Sequence, residues 1–324
     1  MTNLHEESAV SFLPCRTWVI TGGAGFIGSH LAKALVARGQ RVRIVDDFSS
    51  GSAENLRPVA GQVECVRADI RNFAALGPAF AGADYVLHHA ALVSVPLSVQ
   101  KPSETYQINV QGTSNVLEAA RRAGVKRVVF AGSSAVYGNG TDLPYKESSA
   151  RNFESPYALS KQIGEDLCRL YARSYGLETV TLIYFNVFGP GQSAKSPYAA
   201  VIAKFLEWAA QGKPLGIDWN GRQSRDFVHV QDVVQANLLA ALSARSGESY
   251  NVASGKACSL LELADLLDRI SGQKLPRVFR PKRPGDVKLS AADISKIRAL
   301  GFEPKVSLQD ALAEMWAQLK NQAE

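Results

Sequence analysis

No stretch of this 324-residue chain stays apolar for the eighteen or so residues that a membrane-spanning helix needs, so the sequence offers no such helix. Met1 to Arg16 holds His5, Glu6 and Glu7 but no basic segment ahead of an apolar core, so a secretory leader is not expected there. Those residues read as a frayed extension before the first strand. Cysteine is scarce: Cys15, Cys65, Cys168 and Cys258 lie far apart, with no CxxC pair and no zinc-ligand spacing. A disulfide scaffold and a structural metal are thereby set aside, and the thiols are expected to be reduced in a cytoplasmic protein. Internal repeats and low-complexity linkers are also absent. The formal charge is +6, yet no basic run is interleaved with aromatics, so a nucleic-acid partner is not expected. Part of the excess, Arg280-Pro281-Lys282-Arg283, suits an anionic small molecule instead.

What is present is ordinary in bulk, 46% hydrophobic and 20% charged, and long enough for one large domain or two modest ones. The first half alternates β-branched runs with helical periods, the signature of βαβ units around a parallel sheet. Strands are predicted at Thr17–Thr21, Arg41–Asp46, Val63–Arg67, Tyr85–His88, Arg127–Ala131 and Thr179–Phe185. Helices are predicted at Ser29–Arg38, Phe73–Phe80, Thr105–Arg122 and Tyr157–Tyr175. In Thr105–Arg122 the apolar Ile108, Val116, Leu117 and Ala120 recur at helical spacing. These six strands with interleaved helices predict an α/β fold, a doubly wound parallel sheet. After Asn186 the alternation stops at Gly189-Pro190-Gly191, and Pro197, Pro214, Pro276, Pro281 and Pro284 punctuate the rest. Asp226–Val230 reads as one more strand that returns to the sheet. The expected division is a first domain over 1–188, with 226–258 returning to it, and a smaller C-terminal α/β lobe over 189–225 and 259–324.

The first strand, Trp18-Val19-Ile20-Thr21, leads into Gly22-Gly23-Ala24-Gly25-Phe26-Ile27-Gly28 and then a helix. Glycines there allow a tight turn and close approach of backbone to a pyrophosphate, and the helix N-terminus supplies N–H groups and a positive dipole end. Two registers fit, Gly23-x-Gly25-x-x-Gly28 and Gly22-x-x-Gly25-x-x-Gly28. About twenty residues on, the second strand ends at Asp46-Asp47, where a carboxylate hydrogen-bonds the ribose of a bound dinucleotide. Asp46 continues the strand and is the better candidate, although a turn-forming role is the plain alternative. A carboxylate there repels a 2′-phosphate and favours NAD. Asp69, in Arg67-Ala68-Asp69-Ile70, reads either as an adenine partner or as a helix N-cap.

Tyr157 and Lys161 are spaced i, i+4 at the start of a predicted helix and share one face. A phenol is a poor base at neutral pH, but a neighbouring ammonium and a cationic nicotinamide would stabilise the phenolate. Ser133-Ser134, at the end of the fifth strand, offers a hydroxyl to orient a substrate hydroxyl and shuttle its proton.

With these residues assembled, the chain resembles the extended short-chain dehydrogenases/reductases. The TGGAGFIG loop, the Ser133/Tyr157/Lys161 set and Asn109 in NVQGTSNVLEAA carry the likeness, from about Arg16 to beyond Leu308. It implies a Rossmann-type sheet and tightly bound NAD, regenerated in each turnover. The implied cofactor contacts are Gly22, Gly25, Phe26, Ile27, Gly28, Asp46, Asp69, Ile70, Ala90, Asn109, Tyr157 and Lys161. The family's catalytic hydroxyl lies four residues before the tyrosine of its VYG motif, which here is Ser133, with Ser134 as a possible accessory.

Nucleotide-sugar dehydratases and decarboxylases of that family place an acidic residue just after this serine or threonine. Ser134-Ala135-Val136 has none, which resembles the 4-epimerases. The likeness then implies that Tyr157 takes the 4-hydroxyl proton as NAD accepts hydride, and that the keto sugar turns over before the hydride returns. Tyr184-Phe185-Asn186-Val187-Phe188-Gly189 resembles the segment whose asparagine binds the diphosphate of a UDP-sugar. Tyr198 to Ile202, with Val201, is similar to the uridine-side segment of N-acetylhexosamine epimerases. Arg225 and Arg283 match the family's phosphate-binding arginines, and Asp286 a ribose contact. Ser290 stands where galactose-only epimerases carry a tyrosine, leaving room for a 2-N-acetyl group. The loop Leu92-Val93-Ser94-Val95-Pro96 also resembles the N-acetylhexosamine enzymes, with Ser94 toward the sugar and Val93 replacing a glycine often found there. The implied substrate pair is UDP-GlcNAc/UDP-GalNAc, with UDP-Glc/UDP-Gal also accepted. Other nucleotide-sugar oxidoreductases, dehydratases and UDP-uronic acid epimerases are the alternatives. A homodimer through a four-helix bundle of Thr105–Arg122 and Tyr157–Tyr175 is implied as well.

Overall fold

A computed structural model describes residues 14–193, 200–242, 245–282 and 287–321. The chain begins β1 (Thr17–Thr21), α1 (Phe26–Val36), β2 (Arg41–Asp46), α2 (Ala53–Leu56), β3 (Val63–Arg67), α3 (Phe73–Phe80) and β4 (Tyr85–His88). Next come α4 (Val95–Gln100), α5 (Pro102–Tyr106), a π-helical turn over Gln107–Gln111 and α6 (Gly112–Arg122). Then follow β5 (Arg127–Ser133), α7 (Pro156–Tyr175), β6 (Glu178–Tyr184), β7 (Asn186–Phe188), α8 (Val201–Ala210), β8 (Leu215–Asp218) and β9 (Ser224–His229). The chain continues with α9 (Val230–Leu242), β10 (Glu248–Val252), β11 (Ala257–Ser259), α10 (Leu260–Ser271), β12 (Arg277–Arg280), α11 (Ser295–Arg298) and α12 (Leu308–Asn321).

The main sheet has seven parallel strands in the order β10-β6-β5-β4-β1-β2-β3. Strand order reverses between β1 and β4, which opens a crevice at their carboxyl ends. The inner strands β1, β4, β5 and β6 are largely apolar on both faces because helices cover both, whereas the edge strand β3 has no buried residue. Trp18, Ile20, Leu87, Val129 and Leu182 pack with Leu31, Leu35, Val233 and Leu238 of α1 and α9. The alternate residues Val19, Val45, Val86, Val128 and Phe130 pack with α3, α6 and α7. A separate apolar cluster, including Phe188, Phe205, Ile217, Phe227, Leu263 and Leu312, builds the C-terminal lobe.

Six of the seven strands match the sequence pattern to within a residue or two. Two expectations need correction. The strand at Asp226–Val230 is β9, and it joins the small sheet β11-β9-β7 instead of the main one. The chain returns to the main sheet through β10, which pairs with β6. Its sequence, ESYNV, hides this because two of its buried positions are polar. Ser249 Oγ donates to Glu165 at 2.7 Å, and Asn251 Nδ2 donates to the Tyr145 carbonyl at 2.8 Å. The single helix expected at Thr105–Arg122 starts earlier, at Pro102, and is widened by the π-helical turn at its middle.

The buried carboxylate of Glu165 fastens α7 to its surroundings. It accepts from Arg151 at 3.1 Å, from Arg169 at 2.9 Å and from Ser249. Removing it would leave the half-buried Arg151 guanidinium uncompensated. Glu165→Leu is expected to lower the unfolding free energy by about 3 kcal/mol, read from the urea midpoint.

Candidate active site

One cavity of about 1000 Å³ runs from the glycine loop, past the ends of β4, β5 and β6, into the C-terminal lobe. At its start Gly22 turns the chain with φ +68°, and Gly25 stands as N-cap of α1. A side chain at Gly28 would collide with the Gly22 carbonyl, so this glycine lets α1 lie against the loop. Gly22, Gly25, Phe26, Ile27 and Gly28 line the cavity, whereas Gly23 lies under Ile44 and does not. Of the two registers, Gly22-x-x-Gly25-x-x-Gly28 therefore faces the ligand space.

Asp46 lines the cavity at the end of β2, its carboxylate accepting from the amides of Ala24 at 2.9 Å and Phe48 at 2.8 Å. Burial raises its pKa, and the two amide bonds oppose that. Asp69, Ile70 and Ala90 line the same end. Arg71 pairs with Asp69 at 2.5 Å and holds its carboxyl below the usual range. Asn72, not Asp69, is the N-cap of α3, which removes the capping alternative for Asp69.

Ser133 ends β5 and lines the cavity, its Oγ accepting from the Ala135 amide at 3.3 Å. Ser134 turns away into a one-turn 3₁₀ helix and is not among the lining residues. Tyr157 and Lys161 come from the first turns of α7, which opens with the Ser155 cap and Pro156. Both line the cavity, and both are buried. Lys161 Nζ donates to the Ala131 carbonyl at 2.8 Å and lies 5.0 Å from the centre of the Phe130 ring. Burial lowers the Lys161 pKa to about 8. Burial raises the Tyr157 pKa, while the neighbouring Ser133 hydroxyl pulls it down. The phenol thus needs a nearby cation to act as a base, and Lys161 is the one at hand.

Farther along, Ser94, Asn186, Val201 and Arg225 all line the cavity. Ser94 caps α4, and Asn186 Nδ2 donates to the Asp226 carbonyl at 3.3 Å. Arg225 Nη1 donates to the Ser224 carbonyl at 2.8 Å. Ser290 is buried, with its amide on the Ser224 carbonyl at 3.1 Å, but it does not line the cavity. Asn109 does not line it either, because its side chain is committed to Leu92 and Ser160. Tyr198, Arg283 and Asp286 lie outside the described residues.

Some lining residues escaped the sequence reading. His89 sits where β4 ends, its Nε2 3.0 Å from the Tyr184 hydroxyl, and burial lowers its pKa to about 3. Gln223 donates from Nε2 to the Asp218 carbonyl at 2.7 Å, while its buried Oε1 has no partner among the described residues. The signal for Gln223 was its spacing: it lies two residues before Arg225 at a strand, hence on the same face. No group of three His, Cys, Asp or Glu that could hold a metal occurs among the described residues. No helix among them is long and apolar enough to cross a membrane.

Residues 18–253 match the NAD dependent epimerase/dehydratase family. The chain belongs to this family. It is 36% identical to a UDP-glucose 4-epimerase of Mycolicibacterium smegmatis, covering 94% of this chain and 99% of that protein. It is 35% identical to a UDP-N-acetyl-alpha-D-glucosaminuronate decarboxylase of Bacillus cytotoxicus, covering 91% and 95%. A UDP-N-acetylglucosamine 4-epimerase from Methanobrevibacter ruminantium M1, solved with UDP-N-acetylmuramic acid, superposes with TM-score 0.91 at 38% identity, covering 96% of this chain and 100% of that one. The cofactor is NAD, and the residues fit it. The close contact at Gly28 leaves the N-terminus of α1 open toward a pyrophosphate, and the Asp46 carboxylate suits a ribose diol and repels a 2′-phosphate.

Because the Lys161 ammonium favours the phenolate, Lys161→Met is expected to move the rate-limiting basic titration of Tyr157 to higher pH. It should also lower turnover by at least about 100-fold near neutrality. The pH–rate profile of the purified variant checks both.

Proposed function

We propose that this protein reversibly inverts C4 of a UDP-hexose, with UDP-GlcNAc and UDP-GalNAc as the preferred pair and UDP-Glc and UDP-Gal also accepted. The observation that carries this reading is the surroundings of Ser133. The lining carboxylates lie elsewhere: Asp46, Asp47 and Asp69 follow β2 and β3, Glu104 belongs to α5, and Asp218 ends β8 in the lobe. No acidic residue follows Ser133 in Ser134-Ala135-Val136, and neither Ser133 nor Tyr157 hydrogen-bonds a carboxylate among the described residues, which leaves no evident acid to drive loss of water or carbon dioxide. One base and a hydride acceptor remain, which is the minimum that epimerisation needs.

Ser133 orients the 4-hydroxyl and Tyr157 removes its proton, with the Lys161 charge holding the phenolate. NAD, when bound, supplies the site that takes and then returns the C4 hydride. Asn186 and Arg225 hold the diphosphate, a natural task for a guanidinium fork, while the flat keto sugar turns about that anchor. Tyr157 then returns the proton to O4 of the turned sugar, whose opposite face at C4 now meets the hydride. The sugar preference rests on likeness to the N-acetylglucosamine epimerase, because Ser290 is buried but does not line the cavity. We assign cofactor binding to the main-sheet domain and the UDP moiety to the lobe. A homodimer through α5–α6 and α7 is consistent with exposed Leu170 and Tyr175, 48% and 56% accessible, on α7.

The test is to incubate the purified protein with UDP-GlcNAc, adding no cofactor, and follow the anomeric protons by NMR. UDP-GalNAc should appear and approach a fixed ratio. No conversion even with added NAD, or a stable keto, decarboxylated or unsaturated product, contradicts the proposal.

A further inference from the structure

Tyr157 is the second residue of α7, where helix geometry leaves the backbone N–H without an acceptor inside the helix. Its acceptor comes from elsewhere. Ser98 Oγ, fully buried on α4, lies 3.1 Å from the Tyr157 nitrogen and donates in turn to the Val95 carbonyl at 2.7 Å. The carbonyl of the same tyrosine accepts from Ser160 Oγ at 2.8 Å, and Ser160 Oγ accepts from Asn109 Nδ2 at 2.9 Å. Asn109 then grips the backbone of Leu92 on both sides. Its Oδ1 accepts from the Leu92 amide at 2.8 Å and its Nδ2 donates to the Leu92 carbonyl at 3.0 Å. Asn109 projects from the π-helical turn, a local widening that is often retained where a side chain must be placed off the regular helix.

These bonds close a ring. One path runs from Tyr157 through Ser98 to residue 95, and the other through Ser160 and Asn109 to residue 92. The segment they enclose is a wall of the cavity: Leu92, Val93, Ser94 and Leu97 line it together with Tyr157 and Ser133. We propose that Ser98 and Asn109 are positioning residues that lock this wall to the backbone of Tyr157, so that the confined sugar and the proton acceptor move as one body. This rests on the epimerase reading above. The reason lies in the reaction itself. The diphosphate is anchored in the lobe, so a sugar that turns is limited only by the wall around it, and the 4-hydroxyl must meet the same phenol in both orientations. Misplacement of about 1 Å is enough to lower a rate by about 100-fold.

The experiment compares Ser98→Ala and Asn109→Asp with wild type for kcat and KM on the UDP-hexose, and for the Kd of UDP alone by calorimetry. For each variant kcat should fall about tenfold or more while KM and the UDP Kd stay within about twofold, because the anchor is untouched. The double variant should lose less than the product of the two, since both hold one residue. Ser98→Cys, size-matched but a poor acceptor, should reproduce the loss and decides the matter where Ser98→Ala fails to fold. A kcat within twofold of wild type in Ser98→Ala or Ser98→Cys, or a fall in kcat matched by loss of UDP affinity, overturns the coupling alone. Wild-type protein inactive on UDP-hexoses overturns the coupling and the epimerase reading together.

Discussion

The bond from the Lys161 ammonium to the Ala131 carbonyl ties α7 to the end of β5 inside the protein, and the proposed chemistry depends on that tie. It fixes the distance between Tyr157 on the helix and Ser133 on the strand. It also keeps a cation in a dry place, where its effect on a nearby phenol is far larger than in water. The rest of α7 is arranged to keep the helix pressed down. Gly164 faces the Phe130 ring so closely that a side chain there would strike it, and Glu165 binds the helix to Arg151 and to β10. A kinetic device and a packing device are therefore the same element.

Charged side chains line the cavity along its whole length. Carboxylates gather at the ends of β2 and β3, where sugar hydroxyls of a dinucleotide can donate to them. Arg225 and Lys204 line the lobe end of the cavity, together with Asp218 of β8. Between these ends the lining is mostly apolar, aromatic or neutral polar, including His89, which burial keeps uncharged, and Lys161 is the cation among these residues.

Much of this was legible in the sequence, for physical reasons. A strand buried on both faces must be a short β-branched run, so β1, β4, β5 and β6 announced themselves. The glycines announced the turn, and the i, i+4 spacing of Tyr157 and Lys161 put them on one face. What stayed hidden depended on partners distant in the chain. β10 is buried but polar, because Glu165 and Tyr145 satisfy it, and no local pattern signals that. The identity of the functional serine required the turn after β5, which sends Ser134 away. Asn109 resembles a cofactor ligand in sequence, yet its hydrogen bonds go to Leu92 and Ser160. Arg283 and Asp286, expected at the phosphate and ribose of the nucleotide, lie outside the described residues.

In the proposed epimerisation the hydrogen leaving C4 is the one that returns to it, while Tyr157 handles only the hydroxyl proton. Epimerisation carried out in D₂O tests this most directly. The account predicts product that keeps protium at C4, seen as an undiminished H4 signal by NMR. Deuterium at C4 of the product would contradict it.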